Sequence, residues 1–111
     1  MTKNEATLAF ALLTHYSIEY QKRYDKQPNV NKYKEKWAAS SIIDDYGFDA
    51  AKEVIDYYFT LSNGGHALNT LFNNFDKLVA ALHEKKRDEA LRAERRREMA
   101  KLREEWLNGN A

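Results

Sequence analysis

Apolar residues recur along this chain at helical spacing, and nothing alternates with the period of a strand over a useful length. Thr2 and Glu5 stand at the spacing of a capping box. From there to about Tyr24 no glycine or proline interrupts a pattern in which Leu12, Tyr16, Tyr20 and Tyr24 recur every fourth residue. Pro28 closes this first helix, because it lacks a backbone donor and disfavours helix at Gln27. Asn31 is the expected N-cap of a second helix, through Trp37, Ile42 and Ile43 to Tyr46, with Gly47 as its stop. Asp49 is the expected cap of a third, whose face is Ala51, Val54, Ile55, Tyr58 and Phe59 and whose end is Ser62-Asn63-Gly64-Gly65. Leu68, Leu71, Phe72, Phe75, Leu78, Val79 and Leu82 form the clearest stripe, predicting a fourth helix with one buried side. Beyond Leu82 the stripe stops, yet Glu, Lys, Arg, Ala and Leu keep helix propensity high as far as Gly109.

The expected fold is therefore all-α: a bundle of about four helices, the last continuing into a charged C-terminal arm. The helical body is expected over 1–83 and the arm, not an independent domain, over 84–111. A chain of 111 residues has room for one modest core. The absence of cysteine removes disulfides, thiolate metal sites and thiol nucleophiles together, and fits a reducing compartment. No apolar run reaches the roughly 20 residues of a membrane span, and no basic stretch followed by an apolar signal core opens the chain. A cytoplasmic protein is expected.

Charge changes the picture only by its layout. Residues 1–83 carry nine Lys/Arg against ten Asp/Glu, and residues 84–111 carry nine against seven. His15, His66 and His83 are isolated from one another, Gly64-Gly65 falls short of a phosphate loop, and Asp44-Asp45 diverge by about 100° on a helix. No catalytic residue, metal site or cofactor is expected, and the chain is read as a binding protein and not an enzyme. Pairing with lysines of neighbouring helices is the expected fate of Asp44 and Asp45.

Two surfaces remain as candidates. Lys22, Arg23 and Lys26 close helix 1 while Lys32, Lys34 and Lys36 open helix 2, so a tight connection would gather six cations at one corner. Free N–H groups there would also face an anion such as phosphate. Tyr33, flanked by Lys32 and Lys34, offers a stacking face for an unpaired base, whereas most other aromatics, Trp37 included, are assigned to the core and its rim. A solvated corner that keeps the chain soluble is the competing account. In the arm, Met99, Leu102 and Trp106 fall at i, i+3 and i+7 behind Arg95, Arg96 and Arg97. That patch can be covered by folding back, by self-association as a homodimer, or by a partner's groove.

The run Tyr16-x-x-x-Tyr20-x-x-x-Tyr24-Asp25-Lys26-x-Pro28-x-Val30-Asn31, the helix end Tyr46-Gly47, the run Ile55-Asp56-Tyr57-Tyr58-Phe59 and then Phe72-x-x-Phe75-x-x-Leu78 carry a resemblance. Over about residues 10 to 82 the chain resembles small helical domains of bacteriophage replication proteins, the replisome-organiser and helicase-loader-like modules. Asp25 stands where glycine is expected in the turn of that family. The resemblance implies DNA or a replication protein as partner. The alternative is a small protein-interaction factor that regulates a host or phage replication or transcription enzyme through its arm.

Overall fold

A computed structural model describes residues 2–62 and 64–109, which form five helices and no strand: α1 (Lys3–Tyr24), α2 (Lys32–Tyr46), α3 (Phe48–Thr60), α4 (Leu68–Asn73) and α5 (Phe75–Gly109). The fold is all-α, and no helix among the described residues is long and apolar enough to cross a membrane. Asn63, part of the expected stop after helix 3, lies outside the described residues.

The local signals act largely as their chemistry dictates. The Glu5 amide donates to Thr2 Oγ1 at 3.2 Å and the Thr2 amide to Glu5 Oε2 at 3.3 Å, closing the capping box. Asn31 Oδ1 accepts from the Tyr33 and Lys34 amides, satisfying two donors at the start of α2. Asp25 ends α1 in the left-handed region at φ 55°, the conformation that a glycine would reach without strain.

Two expectations about helix ends are corrected. Helix α3 opens at Phe48 behind Gly47, whose φ of 89° turns the chain straight out of α2; Asp49 is a first-turn acid, favourable to the helix dipole, and not the cap. The stripe from Leu68 is not one helix either. Asn74 interrupts it, its side-chain amide donating to the Thr70 carbonyl at 2.9 Å, a local bond that competes with helix continuation. The buried positions keep one helical phase across the break: Leu68, Leu71, Phe75, Leu78 and Leu82 are buried, while Phe72 and Val79, at the edge of that stripe, are half-buried.

The chain divides into two compact units, Met1–Leu78 and Val79–Ala111. In the first, α1 packs on α2 and α3, with Ala9, Ala39 and Ala51 wholly buried, one on each helix. Side chains this small let helix backbones approach closely. Leu12, Leu13 and Tyr16 of α1 and Val54, Ile55, Tyr58 and Phe59 of α3 fill the core around them. The second unit is the greater part of α5. Along the 31 residues from Val79 to Gly109 only Leu82 is buried.

Candidate nucleic-acid interface

The six candidate cations fall into two groups. Asp25 reverses the chain, and the connector 25–31 runs back beside α1, so α2 starts next to the middle of α1 and not at its end. Lys32 Nζ donates to Thr14 Oγ1 at 3.0 Å, and the Tyr33 ring meets the Phe10 ring edge-on at 6.0 Å. Thr14 lies eight residues before Lys22, which is about 12 Å along the helix axis. At the far end of α1, Lys22 pairs with Glu19 at 3.2 Å, and Arg23 donates to the Phe59 carbonyl at 3.0 Å with its guanidinium 6.0 Å from the Tyr24 ring centre. Lys26 follows on the exposed connector. The single corner expected from the sequence is therefore replaced by an α1 end, with two of its three cations engaged, and an α2 start.

The α2 start brings two exposed aromatic rings beside three lysines. Tyr33 is 77% exposed, although its ring makes a T-shaped contact with Phe10. Trp37, one helical turn on, is 59% exposed, with Lys36 Nζ 5.3 Å from its ring centre. Trp37 thus belongs to the surface, against its assignment to the core rim. Spacing shows that Tyr33 and Trp37 share a face at i and i+4, but not that the face is uncovered. Asp44 and Asp45 are exposed at the other end of α2 and form no ion pair with a lysine among the described residues, so the positive charge is confined to the opening turns. Beside Lys34 a groove of about 510 Å³ runs between Tyr20, the connector Pro28–Asn31 and the segment Gly65–Asn69.

Behind this groove stands a buried aromatic cluster that spacing alone did not reveal. His66 is fully buried with φ 45°, and its Nε2 donates to the Leu61 carbonyl at 2.8 Å. Its Nδ1 hydrogen-bonds the Tyr24 hydroxyl. Tyr16 donates to the His66 carbonyl at 2.6 Å, Tyr58 to the Ala67 carbonyl at 2.9 Å, and Phe59 stacks on the imidazole at 5.0 Å. Burial pushes the Tyr16 phenol well above its ordinary range and raises that of Tyr58. Tyr46 is raised too, by its hydrogen bond to the Asp76 carboxylate. The bonds from Tyr16 and Tyr58 to the His66 and Ala67 carbonyls tie the 65–69 wall of the groove to α1 and α3.

Among the described residues one group could hold a metal ion: His15, Glu19 and Asp56, with ligand atoms within 4.8 Å of one another. They are already compensated, His15 Nε2 donating to Asp56 Oδ1 at 2.7 Å and Lys22 neutralising Glu19. In the arm Arg95, Arg96, Met99, Leu102 and Trp106 are all exposed on α5. The fold and these surfaces define the class, an all-α protein with an aromatic and basic helix face. No family model, curated protein or solved structure matches the chain.

Proposed function

We propose that this chain is a non-catalytic accessory module of the bacteriophage replication type that binds nucleic acid through the opening turns of α2. The observation that carries the reading is the pair of open rings, Tyr33 and Trp37, on one helix face with Lys36 over the indole and Lys32 and Lys34 alongside. Rings in that setting stack on unpaired bases whatever their identity, and ammonium groups beside them take the phosphates. The replication context rests on the resemblance over residues 10 to 82, and the contact surface rests on the α2 geometry. Phosphate contacts of this kind position a strand without reading its sequence, so binding tolerant of sequence is expected.

The test is titration with short oligonucleotides across salt concentrations. Changing Lys32, Lys34 and Lys36 together to Gln should lower affinity at low salt and flatten the slope of log affinity against log salt by about one unit per lost contact. The chain holds two tryptophans, so Trp106→Phe leaves Trp37 as the fluorescence reporter. Quenching on titration supports the α2 face. Binding that is unchanged in the triple variant removes it.

A further inference from the structure

The arm has a feature that the nucleic-acid reading does not use: its exposed apolar line is bordered by opposite charges on its two sides. Met99, Leu102 and Trp106 are all more than half exposed, Trp106 by 67%. At about 100° per residue they share one narrow face of α5. If Met99 and Trp106 take the first core position of a seven-residue repeat, Leu102 takes the second. Glu98 and Glu105 then border the line on one side, and Arg96 and Arg103 on the other. Between Glu98, Lys101, Leu102 and Glu105 lies a dimple of about 270 Å³.

We infer that the arm binds a second copy of itself as a parallel helix pair through Met99, Leu102 and Trp106. In a parallel pair the acidic border of each helix faces the basic border of the other, and Glu98 meets Arg103 of the second copy, twice by symmetry. The aliphatic stem of that arginine lies in the dimple over Leu102 while its guanidinium reaches Glu98. An antiparallel pair would set Glu98 against Glu105 and Arg96 against Arg103, like charges on both sides. The arm is thus its own electrostatic complement in one orientation only. Arg92 and Arg95 occupy the core positions before Met99, which confines contact to the tip and makes the dimer concentration-dependent, not permanent. A dimer would also carry two α2 faces and raise avidity for a strand.

Sedimentation equilibrium of the full chain up to about 1 mM decides the matter. The wild type should show a monomer–dimer equilibrium that Leu102→Asp abolishes. Glu98→Arg alone and Arg103→Glu alone should each weaken association about tenfold, because two attractive pairs become repulsive. An equimolar mixture of these two variants should recover wild-type association, since each supplies the charge that the other needs. A wild type that stays monomeric throughout overturns the inference, as does a dimer indifferent to Leu102→Asp. Stronger association of Glu98→Arg would establish the antiparallel pair instead, and failure of the mixture to recover would show that the borders do not meet. None of these outcomes bears on the α2 face, which the oligonucleotide titration tests separately.

Discussion

The body and the arm are both helical, for different reasons. In Met1–Leu78 each helix contributes buried side chains to a shared core, and removing the core would leave short helices that are marginal in water. From His83 to Gly109 only Ala93 is other than exposed, so no core lies beneath that stretch of α5. It is helical through residue preference, its Ala, Leu, Glu, Lys and Arg all being good helix formers. The comparison teaches that helicity is evidence of packing in one region and of composition in the other. Substitutions should therefore have opposite consequences in the two. Changes in the body should act on unfolding, whereas changes in the arm should act on association.

The largest effect should come from Phe75, which is 2% exposed at the start of α5. Phe75→Ala is expected to cost about 3 to 5 kcal/mol in denaturant unfolding. Phe72, which the sequence stripe ranks equally, is half-buried, and Phe72→Ala should cost distinctly less. Equal losses would mean that Phe72 is packed as deeply as Phe75. Next stands His66→Ala, expected to cost about 2 to 3 kcal/mol, because it empties a buried ring site and strands the Tyr24 hydroxyl and the Leu61 carbonyl. Tyr24→Phe removes only one bond of that cluster and should cost about 1 kcal/mol.

Alkaline pH tests the same cluster without mutation. Tyr16 and Tyr58 are held protonated in the folded chain, chiefly by burial, beyond the point near pH 10 at which exposed phenols ionise. Their contribution is complete below about pH 10 and is lost as pH rises above it. Each should add up to about 1.4 kcal/mol of destabilisation per pH unit in that window. Thermal melts between about pH 8 and 11 should show the decline starting near pH 10. Tyr16→Phe should make it shallower, and a decline of equal steepness in that variant would remove Tyr16 from the account.

How much of this was legible beforehand depends on how local each signal is. Capping by Thr2, Glu5 and Asn31 is settled within three residues, and the helical periods of α1 to α3 are settled within four, so these are readable from the chain. The break at Asn74 sits inside an otherwise convincing stripe, where an asparagine reads as an ordinary helical residue. Partners of His66 lie 5, 42 and 50 residues away, and no spacing rule links them. The division of the six cations follows from the path of the connector after Asp25. Proline and a left-handed residue announce a turn without fixing where the next helix begins. Exposure of Trp37 was hidden for a related reason: a helical period shows that aromatics share a face but not what covers that face.

The smallest expected effect is the sharpest test of the comparison, because one chemical change can be made in both regions. Leu12 and Leu102 are both helical leucines, the first buried in the body and the second exposed in the arm. Leu12→Ala removes buried methyl groups and leaves a cavity, and should cost about 2 to 5 kcal/mol. Leu102→Ala removes the same atoms from water, and alanine is the better helix former, so body unfolding should shift by no more than about 0.5 kcal/mol. The measurement is denaturant unfolding at low protein concentration, where self-association is negligible and body stability is read alone. A large loss from Leu102→Ala under those conditions would mean that the arm's apolar line is part of the folding unit. A null effect at low concentration, joined to weakened association at high concentration, would place Leu102 in an interface between copies.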